Sequence, residues 1–213
     1  MNTAVIFDMD GVLVNNARFH EQAFAEYFSA YGVTLKPEMH GRGNSELMEE
    51  LFPGQSAEQH AKLADGKEAY YRKIYEPHLK PAEGLIRLLD ELKRRRIPLA
   101  VGSSAPEENI NFVLDGLQLR KYFDAVVIAA MVERAKPAPD IYLKAAELLN
   151  VAPQYCLVFE DAIAGIQSAR TAGMKVAGIA SSLPKDKLTD TDRTISDFTE
   201  ITVDEILKIT DQL

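Results

Sequence analysis

The sequence predicts an α/β fold, a doubly wound parallel sheet with an inserted all-helical segment. Short apolar runs alternate with longer amphipathic patterns over most of the chain, as expected for a parallel sheet covered by helices on both faces. One stretch, residues 15–79, interrupts this alternation and carries helical periodicity alone. The predicted strands cover residues 4–7, 97–101, 125–130, 156–159 and 176–179.

Amphipathic patterns between and after these runs predict the helices of the core, because their apolar residues recur every three or four positions and form one stripe each. Residues 181–197 are rich in Asp, Lys, Thr and Ser, and they predict a surface connection. The predicted core helices cover residues 84–96, 107–117, 139–149, 162–172 and, at the end of the chain, 203–213.

The inserted segment predicts about three helices. Gly32, the loop 41–43 and Pro53-Gly54 separate them, and the last helix runs from Ser56 toward Tyr75. The first helix is expected to bury one stripe against its neighbours, formed by Phe19, Ala23, Tyr27 and Ala30.

Length and composition are those of a globular chain with one core domain and a smaller insertion: 213 residues, 46% of them hydrophobic and 26% charged. We expect a core of residues 1–14 and 80–213 and a helical cap of residues 15–79 that forms a lid. With 24 Lys and Arg against 32 Asp and Glu, the net charge of −8 disfavours nucleic acids and anionic membranes as partners.

The chain begins without an export signal, and its longest apolar run, residues 125–132, is shorter than the roughly 18 residues of a membrane span. These patterns predict a cytoplasmic protein, and a complete cap predicts a monomer. The single cysteine, Cys156, lies in an apolar run that predicts a buried structural thiol. All four histidines lie in the cap segment without a paired ligand motif, so no zinc site is expected.

Polar residues collect where the predicted strands end. In an open parallel sheet the ligand crevice lies outside the carboxyl ends of the strands, so these residues are expected to converge on one edge. They are Asp8, Asp10, Ser103, Ser104, Lys136, Glu160 and Asp161.

Two of these carboxylates follow the first strand and are two residues apart. In an extended strand end Asp8 and Asp10 start on the same face, and Gly11 lets the chain turn away. Glu160 or Asp161 would complete a cluster that needs a cation to stay ionised. An oxygen-only ligand set of this kind suits Mg²⁺, which we expect as the cofactor.

The same residues suit phosphoryl transfer. Asp8 can accept a phosphoryl group, and Asp10 can act first as general acid and then as general base. Ser103 can donate a hydrogen bond to a phosphoryl oxygen, and Lys136 can neutralise its charge. Each residue alone also fits an ordinary structural role, such as a helix cap or a solvated surface charge. Their joint position at strand ends favours catalysis.

Four segments resemble, in order, the four motifs of the haloacid dehalogenase superfamily. The resemblance spans nearly the whole chain, and it is greatest to the branch of β-phosphoglucomutase and related sugar-phosphate phosphatases. It implies a Rossmann-like core with a helical C1 cap after the first motif. The segments are FDMDGVL at 7–13, GSS at 102–104, KPAPD at 136–140 and FEDAIAGI at 159–166.

The resemblance also implies a role for each core residue. Asp8 would be the nucleophile and a Mg²⁺ ligand, and Asp10 the acid/base and a ligand through its backbone carbonyl. Ser103 and Lys136 would bind phosphate. Asp161 would be a metal ligand, and Glu160 either a ligand or a group that supports the ligands. The dehalogenases themselves lack an aspartate at the position of Asp10, so dehalogenation is not expected.

The cap is expected to supply substrate contacts. The mutase has a histidine where His20 falls and a lysine where Lys67 falls, and its substrate loop has a Lys-Gly pair at His40-Gly41. The expected substrate-binding residues are His20, Gly41, Arg42, Lys67 and Ser104. For the charged cap residues among them, the alternative is that exposed helices normally carry such side chains.

Departures from the mutase pattern favour hydrolysis. Asn44 stands where the mutase has an arginine for a second phosphate. Ala105, Pro106 and Glu107 replace a serine, a lysine and an asparagine, and Glu107 would repel phosphate. We therefore expect a phosphatase acting on a small phosphorylated metabolite. A β-phosphoglucomutase and a non-catalytic phosphate-binding protein are the alternatives.

Overall fold

A computed structural model describes residues 3–33 and 44–211, and it contains a parallel sheet with helices packed against it. The strands are β1 (Ala4–Phe7), β2 (Leu99–Ser103), β3 (Ala125–Ile128), β4 (Cys156–Glu160), β5 (Lys175–Ile179) and β6 (Arg193–Ile195). The α-helices are α1 (Ala17–Phe28), α2 (Asn44–Leu51), α3 (Ala57–Tyr75), α4 (Leu85–Arg94), α5 (Glu107–Gly116), α6 (Asp140–Leu149), α7 (Ile163–Thr171) and α8 (Val203–Thr210).

The α/β class and the doubly wound parallel sheet are confirmed. β2 begins two residues later than predicted, because the N–H of Ile97 donates to the carbonyl of Leu92 at the end of α4 and Pro98 has no N–H to offer. The prediction of a surface connection over residues 181–197 is wrong at its end, where β6 pairs with β5. A three-residue edge strand is too short for an alternating pattern to reveal it.

The strand order is β3-β2-β1-β4-β5-β6, with every pair parallel. The chain leaves β1 toward β2 and β3, and then returns to β1 on its other side to add β4. The switch point of the topology therefore lies between β1 and β4. Phe7 is level with Phe159 across this pair, so the residues that follow each strand emerge side by side.

Alternate residues of the central strands point to two different apolar layers. Ile6 and Val158 join one cluster with α6 and α7, including Tyr142 and Ile166. On the other face the Phe7 and Phe159 rings stack at 5.1 Å between centroids, and Phe198 packs edge-on against Phe159. Burial on both faces explains why the central strands are continuous apolar runs. Cys156 is buried in the first layer, as expected.

The chain divides into two compact units, one of residues 1–15 and 80–213 and one of residues 16–79. In the second unit α1 and α3 pack together with α2. The buried stripe of α1 differs from the predicted one: Phe24 and Phe28 are buried, whereas Ala30 is exposed. The reason is that α1 ends at Phe28 and a 3₁₀ turn follows, which breaks the helical period.

None of the helices within residues 3–33 and 44–211 has both the length and the hydropathy of a membrane-crossing segment.

Candidate active site

The loop after β1 presents Asp8 to the carboxyl edge of the sheet. β1 ends at Phe7, and the Asp8 N–H donates to the carbonyl of Phe159 on β4 at 3.0 Å. The carbonyl of Met9 then accepts the N–H of Leu13 at 2.8 Å, so the chain turns at once. Asp8 thus continues the backbone pairing of β1 with β4, and Asp10 lies in the turn that follows. Asp8 is buried and Asp10 is half-buried.

Gly11 makes this turn possible and leaves room for Asp161. Its φ of +73° lies in the left-handed region that favours glycine. A Cβ at this position would lie 1.8 Å from Oδ2 of Asp161, so any side chain would displace that carboxylate. The loop after β5 holds the same region from the other side. Ser181 Oγ donates to the Gly11 carbonyl at 2.5 Å, and Ser182 Oγ donates to Asp161 Oδ2.

Lys136 bridges the carboxylate that follows β1 and the carboxylate at the end of β4. Its ammonium group donates to Asp8 Oδ1 at 2.6 Å, to Glu160 Oε1 at 2.6 Å and to the Gly102 carbonyl at 3.1 Å. These three bonds use all three protons of the ammonium group. Burial alone would lower the pKa of Lys136, but Asp8 and Glu160 outweigh burial and raise the pKa above its ordinary value. Lys136 is therefore a cation at neutral pH.

Glu160, at the end of β4, has its acceptor positions filled. Oε1 accepts from Lys136 and from the Tyr142 hydroxyl, both at 2.6 Å. Oε2 accepts the backbone N–H groups of Asp161 at 3.0 Å and Ala162 at 3.1 Å. Four donors match the roughly four lone-pair sites of a carboxylate. This favours Glu160 as the support of Lys136 over Glu160 as a metal ligand.

The carboxylate of Glu160 lies directly over a glycine of α7. A Cβ on Gly165 would lie 1.7 Å from Oε1 and 2.4 Å from Oε2 of Glu160. Gly165 is helical, so no unusual φ requires a glycine here. Close approach of the Glu160 carboxylate requires it.

Asp8, Glu160 and Asp161 form an acidic cluster in which one oxygen from each lies within 4.8 Å of the others. Burial, followed by the charge of Glu160, raises the pKa of Asp161 to about 7. Burial also raises the pKa of Asp8 well above its ordinary value, although Lys136 opposes that shift. The cluster therefore lacks positive charge. A hard divalent cation would supply it, and an all-oxygen donor set fits Mg²⁺.

The end of β2 brings a hydroxyl to the same edge. Ser103 is buried, and its Oγ accepts the N–H of Ala105 at 3.1 Å. Because Ser103 is the acceptor in this bond, its own proton can be donated to a phosphoryl oxygen. Ser104 is exposed.

The expected cap residues are placed only within their own unit. The His20 ring stacks on Tyr71 with centroids 3.7 Å apart, and its Nδ1 lies 4.0 Å from Oε2 of Glu68. Lys67 is buried and pairs with Glu68. Gly41 and Arg42 lie outside the described residues. The substrate contacts of all four residues stay predictions.

Several residues of the site were not singled out in the sequence. Ser181 and Ser182 lie two and three residues after the end of β5, so the strand-end rule that selects Asp8 and Asp10 would also have selected them. Gly165 carries a weak signal, a glycine within a predicted helix. Tyr142 carries none, because a tyrosine on the apolar stripe of α6 is typical of core packing.

The family model of haloacid dehalogenase-like hydrolases matches residues 5–179, which run from β1 to the end of β5 and include the inserted helices. The chain belongs to this family. The phosphorylated carbohydrates phosphatase of Thermotoga maritima is 34% identical over 189 residues, which cover 84% of this chain and 86% of the relative. The β-phosphoglucomutase of Bacillus subtilis is 32% identical over 193 residues, which cover 85% and 84%.

A solved structure has the same fold over its full length. The crystal structure of a HAD hydrolase, family IA, variant 3 from Entamoeba histolytica matches with a TM-score of 0.90 and 32% identity, covering 99% of this chain and 100% of that chain. Phosphatases and a mutase are thus similar to this chain to nearly the same degree. Family membership alone does not choose between the two reactions.

Gly165→Ala is expected to destabilise this HAD-family core. Alanine normally favours a helix over glycine by up to about 1 kcal/mol, but here its methyl group collides with Glu160. We expect a net loss of about 1–3 kcal/mol in the free energy of unfolding, measured by urea denaturation.

Gly66→Ala is the matched control. Gly66 also lies in a helix, and its added methyl would meet the outer part of the Tyr27 ring, 1.8 Å from the hydroxyl oxygen and 2.5 Å from Cζ. Tyr27 is a half-buried side chain without the four hydrogen bonds that fix Glu160, so Gly66→Ala should lower the free energy of unfolding less than Gly165→Ala does. Equal destabilisation by both substitutions would contradict the packing described for Glu160.

Proposed function

We propose that this chain hydrolyses the phosphomonoester of a small phosphorylated metabolite through a phosphoryl group carried on Asp8. One observation supports this most directly. The buried carboxylate of Asp8 is held by Lys136 beside Asp161, at the switch point where an open parallel sheet binds ligands.

In the first half-reaction an oxygen of Asp8 attacks the phosphorus atom. The bond from phosphorus to the ester oxygen breaks, and Asp10 donates its proton to that oxygen so that a neutral alcohol leaves. Asp10 is half-buried in the turn that follows Asp8, where it can exchange protons with water. The product is an aspartyl phosphate and a free alcohol.

In the second half-reaction Asp10 takes a proton from a water molecule as the water oxygen attacks phosphorus. The bond between phosphorus and Asp8 breaks, which regenerates the carboxylate and releases inorganic phosphate. Two easier displacements thus replace one difficult displacement. Ser103 and Lys136 supply the fixed donors and positive charge that phosphoryl transfer depends on.

Asp8, Asp161 and the backbone carbonyl of Asp10 would hold Mg²⁺. When bound, the ion would neutralise the carboxylates and the phosphoryl oxygens, so that an anionic nucleophile can approach an anionic substrate. Glu160 would support the site by fixing Lys136.

We favour a phosphatase over a mutase because of the segment after β2. Pro106 precedes α5, and Glu107 begins it as an exposed acidic residue. A mutase must retain a doubly phosphorylated intermediate, and an acidic helix start would repel its second phosphate. The Thermotoga relative is a phosphorylated carbohydrates phosphatase, so carbohydrate phosphates are the first substrates to test.

Asp8→Asn is expected to lower phosphate release from p-nitrophenyl phosphate by at least about a thousandfold, because the nucleophile is lost. A phosphate assay with Mg²⁺ gives the rate, and circular dichroism verifies the fold. Asp90→Asn is the matched control, since Asp90 is an exposed carboxylate that accepts a bond from Tyr122. Wild-type protein that binds phosphate without releasing any from esters would support the non-catalytic alternative.

Mg²⁺ is expected to stabilise the wild-type protein and to have little effect on Asp161→Asn. A ligand at one hundred times its dissociation constant adds about 2.7 kcal/mol to the free energy of unfolding. Thermal unfolding with Mg²⁺ or with excess chelator measures this difference without any substrate. Equal Mg²⁺ stabilisation of both proteins would remove Asp161 from the ligand set.

With β-glucose 1-phosphate and a bisphosphate primer, phosphate release should exceed glucose 6-phosphate formation by at least about tenfold. Each missing charged contact to a second phosphate is worth roughly 1.5–3 kcal/mol, or about one to two powers of ten in retention. Coupled assays for the two products decide the question. Rapid formation of glucose 6-phosphate with little free phosphate would establish the mutase.

We also propose that residues 16–79 act as a lid, since the chain enters and leaves this unit at two short connections. Hydrogen exchange at residues 15–17 and 79–82 should slow when beryllofluoride and Mg²⁺ are added, because a closed lid restrains its hinges. Unchanged exchange at both connections, with the phosphate mimic bound, would argue against lid closure.

A further inference from the structure

We infer that Tyr142 is a positioning residue for this reaction, whose hydroxyl holds Glu160 so that Lys136 is shared between Glu160 and Asp8. The inference rests on the phosphatase activity proposed above. It assigns a role to a buried side chain of α6 that reaches Asp8 only through Glu160 and Lys136.

Tyr142 lies on α6, where its ring is fully buried in the apolar layer beneath the sheet. The ring has two polar neighbours. The ammonium group of Lys136 lies 4.7 Å from the ring centroid, and the hydroxyl donates to Glu160 Oε1 at 2.6 Å. The ring also packs against Gly102, where a Cβ would lie 3.3 Å from two of its carbons. The orientation of the hydroxyl is therefore fixed by packing.

The hydroxyl and Lys136 share a single acceptor atom. Glu160 Oε1 accepts from both, while Oε2 is occupied by two backbone N–H groups. If the hydroxyl were removed, Lys136 would be the sole donor to Oε1. In a buried site with few competing dipoles, the ammonium group would then move toward Glu160 and away from Asp8.

Such a shift would affect the transition state more than the binding of substrate. The positive charge stays in the site, so attraction for an anionic substrate changes little. The bond from Lys136 to Asp8, which fixes the direction of the nucleophile, weakens. A poorly aligned nucleophile lowers the rate of the chemical step.

The test is Tyr142→Phe, which keeps the ring and removes the hydroxyl alone. With p-nitrophenyl phosphate and Mg²⁺ we expect kcat to fall about tenfold, the size of one charge-assisted hydrogen bond, while KM changes by less than about threefold. Tyr122→Phe is the matched control, because its hydroxyl donates to Asp90 at 2.7 Å on the surface. It should leave kcat and KM unchanged.

A second comparison shows whether Tyr142 acts through Glu160. In a Glu160→Gln background the neutral amide no longer draws Lys136 strongly, so Tyr142→Phe should lower kcat by less than about twofold. Residues that act through one another are non-additive in this way, whereas separate packing effects add. An equal loss of kcat in both backgrounds would overturn the inference.

The remaining outcomes are also decisive. Tyr142→Phe with wild-type kcat, or with an altered KM alone, would overturn the positioning role. A variant that fails to fold by circular dichroism would overturn it as well, because the hydroxyl would then be needed for stability. Wild-type protein without phosphatase activity would instead refute the proposed function.

Discussion

A single ammonium group balances three buried carboxylates at the centre of the sheet, and the site depends on this unequal charge. Moving an ionised carboxylate out of water costs several kcal/mol unless it is paired. Lys136 pairs with Asp8 and Glu160, and the Asp161 carboxylate is left with the hydroxyl groups of Ser181 and Ser182. Burial raises the pKa of Asp8 and Asp161, and the negative charge of neighbouring carboxylates raises both further. The surplus negative charge explains why a divalent cation fits the cluster.

The backbone is shaped around these carboxylates. Gly11 and Gly165 lie directly against Asp161 and Glu160, closer than any Cβ would permit. The two acidic residues follow each other in sequence, and each rests on a glycine from a different element. The absence of a side chain at Gly11 and Gly165 therefore leaves the space that these two carboxylates occupy.

The sequence predicts the sheet and the edge where the site lies, because both follow from simple periodicities. Continuous apolar runs mark strands that are buried on two faces, and polar residues after the runs mark their carboxyl ends. β6 was not predicted because a strand of only three residues is too short to show a pattern. The prediction that Ala30 is buried was wrong, because the spacing of apolar residues does not show where a helix ends.

The fine geometry of the site could not be predicted. A sequence does not show that Lys136 uses all three protons, or that Tyr142 shares an acceptor with it. These arrangements depend on which side chains meet across distant elements. Tyr142 fits the apolar pattern of α6 because its ring is part of the hydrophobic core, so the pattern gives no sign that its hydroxyl has a polar partner.

The pairing of Asp8 with Lys136 joins residues that are 128 positions apart in the chain. Such a contact can form only after a long loop has closed, and topologies rich in distant contacts fold slowly. During synthesis Asp8 emerges long before the lysine that compensates its charge and before β4 brings the remaining carboxylates. The charge balance of this cluster consequently cannot be established before Lys136 and β4 have been made, so a nascent chain carries Asp8 without its partners.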